Sequence, residues 1–147
     1  MIRVLIADDH PFVRAGAAAL LTSAPGIELV GQCSDGGEVV RVTDAVHPDV
    51  ILMDVDMPVQ SGFDATRELM SRHPDLKVII FSVSIVTGGG PEIAARSGAV
   101  GYMLKGQPDQ LVEAVRRVAA GGTAWPSDFT PPKPRPSDTG DARTPGA

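Results

Sequence analysis

The strongest constraint on the fold is a regular alternation of short apolar runs with helical patterns along the first 125 residues. The runs are rich in Val, Ile and Leu without polar alternation, which is typical of strands buried on both faces of a sheet. We therefore expect an α/β, doubly wound domain in which helices cover both faces of a five-stranded parallel sheet. The predicted strands are Ile2–Ala7, Ile27–Cys33, Val50–Asp54, Val78–Ser82 and Val100–Leu104.

Start and stop signals bound the helices predicted between these strands. The first helix begins at Pro11, a residue suited to the first helical turn, and ends before Pro25-Gly26. The last helix begins at Pro108 and ends at Gly121-Gly122. A fourth helix precedes the last strand. The second and third helices span Asp35–Ala45 and Gly62–Arg72.

A change in composition near Trp125 divides the chain of 147 residues into two parts. Six of the thirteen prolines lie between Pro126 and Ala147, and no hydrophobic period follows Phe129. Such a segment cannot bury enough apolar area to offset the entropy lost on ordering. We therefore predict one folded domain at residues 1–122 and a Pro-rich disordered tail or linker at residues 123–147.

Charge and hydropathy argue against several classes of protein. The formal net charge of −5 disfavours direct nucleic acid binding by this chain, because such surfaces are usually basic. The N-terminal apolar run is too short for a signal peptide, and no stretch reaches the ~18 apolar residues of a membrane span. The single cysteine, Cys33, cannot form an internal disulfide. We therefore expect a protein of the reducing cytoplasm that does not contact a membrane.

Acidic and polar residues stand where the predicted strands end. Asp8 and Asp9 follow the first strand, Asp54 ends the third, Ser82 ends the fourth, and Lys105 follows the fifth. In an open parallel sheet these ends lie at one edge, where ligands bind. Two carboxylates about 4 Å apart repel by about 4 kcal/mol at an effective dielectric near 20. We therefore expect a cation between them.

A hard divalent ion suits this set of oxygen ligands. The sequence predicts Mg²⁺, or Mn²⁺, because neither His nor Cys is placed to favour a softer metal. Lys105 and Ser82 can contact phosphoryl oxygens that the ion does not hold. Asp54, at the centre, is then the candidate nucleophile that becomes an aspartyl phosphate. We interpret His10 as a loop residue that lines this edge rather than as a catalytic base.

These residues, in this order, resemble the receiver domain of two-component response regulators. The resemblance covers Met1 to about Gly122, and its anchors are Asp8-Asp9, Asp54-Val55-Asp56-Met57-Pro58 with Gly62, Ser82 and Gly101-Tyr102-Met103-Leu104-Lys105. It implies the strand order 2-1-3-4-5 and a sensor histidine kinase that donates a phosphoryl group to Asp54. It also implies Mg²⁺ held by Asp9, Asp54 and the backbone carbonyl of Asp56, with Asp8 acting mostly through water.

The resemblance further implies how phosphorylation changes the domain. Ser82 and Tyr102 would form the switch pair, in which the Ser82 hydroxyl moves toward the phosphoryl group and Tyr102 follows. Simple packing is an equally good interpretation of Tyr102, and one residue can do both. The fourth helix, fifth strand and fifth helix would then present a changed face to a partner. A homodimer would use that face or the first and fifth helices.

Two longer segments resemble one subfamily of response regulators. The opening Val4–Pro11 and the helix Leu111–Gly122 are similar to regulators that carry a LuxR-type helix-turn-helix, which implies an output in transcription regulation. Only 22 residues follow Trp125, too few for a DNA-binding helical unit. Either the receiver acts alone, or the chain is a fragment or truncated descendant of a transcription factor.

The stretch Ser84–Pro91 departs from the family pattern and is about one residue longer. Its three glycines, Gly88–Gly90, each cost roughly 1 kcal/mol relative to Ala in a helix. We therefore predict a mobile loop at residues 84–91, a weak or displaced start of the fourth helix, and loosened coupling between Ser82 and Tyr102.

Two other functions fit some of the same residues. Asp54 and Asp56 after an apolar strand resemble the nucleophile and acid of haloacid-dehalogenase-like phosphatases. A phosphorylation-independent interaction module would keep the fold without the chemistry. The receiver interpretation expects no enzyme beyond self-directed phosphotransfer and slow self-dephosphorylation, and it expects the Asp56 side chain to point away from the site.

Overall fold

The computed structural model describes residues 1–83 and 90–132. Five strands pair in parallel in the order β2-β1-β3-β4-β5, which confirms the predicted topology. Because the order reverses between β1 and β3, ligands are expected outside the carboxyl ends of these strands. The strands are β1 (Ile2–Ala7), β2 (Ile27–Cys33), β3 (Val50–Asp54), β4 (Lys77–Ser82) and β5 (Gly101–Leu104).

Helices follow the strands and are started by local signals in the sequence. Asp35 and Ser61 are the N-caps of the second and third helices, and their side chains accept hydrogen bonds from the backbone N–H of Glu38 and Asp64. In the described ranges, no helix combines the length and the apolar character that a membrane span requires. The helices are α1 (Pro11–Ser23), α2 (Gly36–Val46), α3 (Gly62–Arg72), α4 (Gly90–Ser97) and α5 (Leu111–Ala119).

Two apolar clusters cover the two faces of the sheet. Consecutive residues of a strand point to opposite faces, so Val4 packs in one cluster and Leu5 in the other. The first cluster includes Leu21 of α1 and Val115 of α5, whereas the second includes Leu69 of α3. Both faces are therefore buried, which explains why the strands are continuous apolar runs.

The predicted element boundaries differ from the observed ones by one or a few residues. Strand β4 begins at Lys77 rather than at residue 78, and β5 begins at Gly101 rather than at residue 100. The last helix is preceded by a 3₁₀ turn at Pro108–Gln110, so its α-helical part begins only at Leu111. Short turns of this kind are common at helix N-termini.

The predicted loop at residues 84–91 lies mostly outside the described residues. Its last two residues, Gly90 and Pro91, lie in α4, so the predicted end of the loop is wrong by two residues. Pro91 suits the first turn of a helix because its ring fixes φ and its missing N–H has no intrahelical partner there. The mobility of residues 84–89 stays a prediction.

The chain after α5 returns to the edge of the sheet. Ala124 donates its N–H to the carbonyl of Val100 (3.0 Å) and accepts from the N–H of Tyr102 (2.9 Å), which forms a short parallel bridge beside Gly101. The rings of Trp125 and Phe129 lie 5.2 Å apart, centroid to centroid. The described residues after 122 thus cover part of the exposed edge of β5.

Candidate functional site

Backbone pairing brings the predicted acids together at the carboxyl ends of β1 and β3. Ala7 is the partner of Met53 in the sheet, so the next residues, Asp8 and Asp54, end neighbouring strands. The N–H of Asp8 donates to the carbonyl of Cys33 (3.0 Å), which fixes the chain as it leaves β1. The side chains of Asp8 and Asp54 are 0% and 5% exposed, and that of Asp9 is 33% exposed.

Lys105 closes this group from the end of β5. Its Nζ lies 2.8 Å from Asp8 Oδ2 and 2.9 Å from Asp54 Oδ1, although only 5% of its side chain is exposed. The backbone N–H of Lys105 donates to the carbonyl of Ser82 (2.8 Å), which joins the ends of β4 and β5. The structure therefore brings the predicted residues together at one place, namely Asp8, Asp9, Asp54 and Lys105.

Burial shifts the proton affinities of the two central groups. Burial is the main cause that raises the pKa of Asp54 from 3.8 to about 6, against the lowering effect of its hydrogen bond to Lys105. Burial alone would lower the pKa of Lys105, but its contacts with Asp8 and Asp54 outweigh burial and the pKa is raised. Lys105 is thus a firmly charged ammonium beside an acid whose charged form the fold disfavours.

The acidic group retains unmet capacity to bind a cation. Asp54 Oδ1 accepts from the N–H of Val55 (2.9 Å) and from Lys105, whereas the buried Asp54 Oδ2 accepts no hydrogen bond from the described residues. One ligand atom from each of Asp8, Asp9, His10 and Asp54 lies within 4.8 Å of the others. Carboxylate oxygens with free lone pairs at this spacing fit a divalent metal ion.

His10 lies closer to the acids than the sequence indicates. The sequence predicts that no His is placed to favour a softer metal, whereas His10 Nδ1 lies 3.0 Å from Asp8 Oδ1 and 3.2 Å from Asp9 Oδ1. The imidazole does line the edge of the site, as expected, and half of it is exposed. Sequence adjacency to Asp8 and Asp9 was the available signal, but it does not reveal the direction of the ring.

The loop after Asp54 is shaped by close backbone packing. A β-carbon on Gly62 would lie 1.9 Å from the carbonyl oxygen of Asp54, and the N–H of Gly62 donates to the carbonyl of Val55 (2.8 Å). Only glycine fits so close to the backbone that carries the central acid. Asp56 is exposed, in agreement with the expectation that its side chain points away.

The two proposed switch residues lie on neighbouring strands. Tyr102 is paired with Ile80, two residues before Ser82, so the side chains of Ser82 and Tyr102 lie on the same face of the sheet. Both residues are buried. Gly90 packs on the tyrosine ring, since a β-carbon there would lie 2.4 Å from the Tyr102 hydroxyl oxygen. The start of α4 is therefore in contact with the ring.

Comparisons with known proteins agree with this geometry. The family model described as "Response regulator receiver domain" matches residues 4–116. The chain is 43% identical over 122 residues to Response regulator GacA of Pseudomonas viridiflava, covering 82% of this chain and 56% of that protein. It is 41% identical over 126 residues to Transcriptional regulatory protein DegU of Brevibacillus brevis, covering 82% of this chain and 51% of that protein.

A comparison with solved structures also finds response regulators. The crystal structure of a two-component response regulator of the LuxR family from Aurantimonas sp. SI85-9A1 superposes with a TM-score of 0.79 at 32% identity. The match covers 86% of this chain and 90% of that one. The chain spans little more than half the length of the curated relatives above.

Proposed function

The chain belongs to the response regulator receiver family of two-component signalling, and from this premise we propose that Asp54 accepts a phosphoryl group from a sensor histidine kinase. The observation that carries the proposal is the position of Asp54, buried at the end of β3 with Lys105 Nζ 2.9 Å from one of its oxygens. A carboxylate beside a fixed ammonium and two further acids suits phosphoryl transfer.

In the proposed reaction, an oxygen of Asp54 attacks the phosphorus of a phosphohistidine. The new O–P bond forms as the P–N bond breaks, and the kinase imidazole leaves with the electron pair. The Lys105 ammonium would hold a phosphoryl oxygen, and the Ser82 hydroxyl, on the adjoining strand end, would donate to another. The other chemistry expected of the domain is slow hydrolysis of its own aspartyl phosphate.

The residues present fit a divalent cation, and we propose Mg²⁺, with Mn²⁺ as a substitute. Asp9, Asp54 and the backbone carbonyl of Asp56 would hold the ion, with Asp8 acting through water. The unpaired Asp54 Oδ2 supports this assignment. When bound, Mg²⁺ would neutralise negative charge that collects on the phosphoryl oxygens.

The consequence of phosphorylation would be a change at the face formed by α4, β5 and α5. Ser82 and Tyr102 share a face of the sheet, which supports their role as the switch pair. Names of relatives such as DegU support an output in transcription regulation. Residues 1–122 would form the receiver and 123–147 a linker, whose first part is held at the edge of β5 through Ala124. A homodimer through α4-β5-α5 or through α1-α5, and a cytoplasmic location, belong to the same proposal.

The experiment that tests this function is intact mass spectrometry after incubation with acetyl phosphate and Mg²⁺. We expect one phosphoryl group per chain, labile in base, that is absent from Asp54→Asn and from samples with a chelator. Asp56→Asn is the matched control and should still be labelled. The family match does not favour a phosphatase. Multiple turnover of a phosphomonoester that requires Asp56 would overturn the proposal, as would labelling that persists in Asp54→Asn.

An interaction module without phosphorylation is tested by the same experiment. It predicts no labelling of wild-type protein by acetyl phosphate with Mg²⁺, although the protein is folded. That result would also contradict the proposed function.

A further inference from the structure

One ring nitrogen of His10 lies close to three carboxylates of the site. This nitrogen, Nδ1, is 3.0 Å from Asp8 Oδ1, 3.2 Å from Asp9 Oδ1 and 3.7 Å from Asp54 Oδ2. A ring nitrogen carries one proton or one lone pair, so it cannot satisfy three carboxylates by hydrogen bonding. The distance to Asp54 Oδ2 is too long for a hydrogen bond, and that buried oxygen accepts none from the described residues.

The local backbone fixes the position of His10. It is the N-cap residue of α1, with φ −92° and ψ 105°, and it is followed by Pro11. Its backbone N–H donates to Asp8 Oδ1 at 2.8 Å, and the Asp8 side chain is fully buried. His10 is therefore attached to one of the acids through its main chain, which orders the base of its side chain.

Carboxylate oxygens of Asp8 and Asp9 lie next to His10 Nδ1, a position that suits an N–H in the metal-free protein and the lone pair of a neutral imidazole when a cation is bound there. Lys105 Nζ, which can only donate, lies 3.4 Å from His10 Nδ1. Neighbouring ligand atoms that bind one octahedral ion at about 2.1 Å lie about 3.0 Å apart. The distance from His10 Nδ1 to Asp9 Oδ1, an atom of one of the proposed ligands, is 3.2 Å and is close to this value.

We propose that His10 Nδ1 is an additional ligand of the metal site and gives it a preference for first-row transition ions over Mg²⁺. Imidazole favours Ni²⁺, Co²⁺ and Zn²⁺, whereas Mg²⁺ prefers oxygen ligands. The inference rests on the proposed function, because it assumes that Asp9 and Asp54 hold a metal. It adds a residue and a selectivity that the all-oxygen ligand set lacks.

The first test compares Ni²⁺ and Mg²⁺ affinities by calorimetry on untagged, metal-free protein. The variant His10→Phe keeps a ring of similar size and removes the nitrogen, while the backbone N–H to Asp8 is retained. We expect Ni²⁺ affinity to fall at least about tenfold, as for other losses of metal-site partners, with Mg²⁺ affinity changed less than about twofold. Equal losses for both ions, or no loss for either, would overturn the inference.

His73→Gln is the control for binding elsewhere. His73 Nε2 lies 2.7 Å from Asp44 Oδ1 and forms a second histidine–carboxylate pair. This variant should keep the Ni²⁺-to-Mg²⁺ ratio of wild-type protein. If the ratio falls with His73→Gln and not with His10→Phe, the preference belongs to the other pair and the inference is wrong.

The second test detects the nitrogen directly. Electron spin-echo spectroscopy of bound Mn²⁺ should show coupling to ¹⁴N of an imidazole in wild-type protein, and His10→Phe should lack it. Bound Mn²⁺ without this coupling in wild-type protein would overturn the inference. If wild-type protein is phosphorylated on Asp54 in Mg²⁺, such a result leaves the proposed function intact. Failure of the proposed function is separate, since wild-type protein would then not be phosphorylated in Mg²⁺.

Discussion

The Lys105 ammonium lies 2.9 Å from Asp54 Oδ1 and 2.8 Å from Asp8 Oδ2, and it is nearly as buried as the two carboxylates. Among the described residues, Lys105 is the Lys or Arg residue whose side chain contacts both Asp8 and Asp54. Removing one partner of a buried ion pair typically costs several kcal/mol, because the remaining charges lose their compensation. Lys105 therefore stabilises the fold of the metal-free protein as well as the proposed phosphoryl group.

The variant Lys105→Met should lower the free energy of unfolding by about 2 to 4 kcal/mol in chelator, measured by urea denaturation. It should also abolish phosphorylation by acetyl phosphate. Lys77→Met is the matched control, since Lys77 starts β4 at the opposite end of the strand from the site. Similar losses in the two variants would show that the effect does not come from the acidic group.

The variant Asp54→Asn should be more stable than wild-type protein at pH 7.5 in chelator. Burial raises the pKa of Asp54 from 3.8 to about 6, so the folded state binds more protons than the unfolded state between these values. The stability that the raised pKa of Asp54 contributes is fully present below the unfolded-state pKa of 3.8. It is lost as the pH rises through the folded-state pKa of about 6. Replacing the ionised carboxylate should therefore raise the free energy of unfolding by about 1 to 3 kcal/mol. The loss of the ion pair with Lys105 offsets part of this gain.

The pH dependence separates this cause from a general effect of removing charge. The stability of wild-type protein relative to Asp54→Asn should decrease as the pH is raised from 4 to 6.5, because the pKa of Asp54 shifts from 3.8 to about 6 on folding. The exposed Asp75 supplies the control, and Asp75→Asn should show no such relative change. A stability difference between wild type and Asp54→Asn that is independent of pH would contradict a raised pKa.

The variant Gly62→Ala should damage the site through the backbone. Its β-carbon would lie 1.9 Å from the Asp54 carbonyl oxygen, so the strand end or the start of α3 must move. We expect a loss of about 2 to 4 kcal/mol by thermal denaturation, with weaker phosphorylation. The control is Gly16→Ala on the exposed side of α1, where a β-carbon meets nothing within 4 Å. That change should instead stabilise the protein by about 0.5 to 1 kcal/mol.

The variant Gly90→Ala should move the ring of Tyr102. A β-carbon at Gly90 would lie 2.4 Å from the hydroxyl oxygen and 2.9 Å from two ring carbons, so the buried ring must shift. Because the chain has one tyrosine, ¹⁹F NMR of 3-fluorotyrosine reports on this ring alone. We expect a shifted resonance in Gly90→Ala and an unchanged one in Gly16→Ala. Identical spectra for Gly90→Ala and wild type would argue against the contact.

Much of the fold could be predicted from the sequence, because apolar runs buried on both faces leave few alternatives. Strand β1 and helix α3 have their predicted bounds, since Asp8 and the cap Ser61 mark those ends chemically. The boundaries of β4 and β5 were less accurate, because pairing at a strand end depends on its neighbour. The bridge at Ala124 was not predicted, since a Gly- and Pro-rich composition around it gives no strand signal.

The site could be predicted to the level of residues but not of orientations. Strand ends in a parallel sheet meet at one edge, so Asp54 and Lys105 could be placed together from the sequence alone. The direction of the His10 ring depends on side-chain torsions that the pattern does not encode. The contact of Gly62 with Asp54 was also missed, since a glycine that starts a helix looks the same whether or not a backbone lies against it.

The most direct test of a single magnesium site at these strand ends is a Mg²⁺ titration of ¹⁵N-labelled protein followed by NMR. We predict saturation at one ion per chain, with the largest amide shifts at residues 8–10, 54–56 and 105, and loss of these shifts in Asp9→Asn. Amides in these segments that do not respond to Mg²⁺, or shifts centred on another acidic group such as Asp35 and Glu38, would contradict the account.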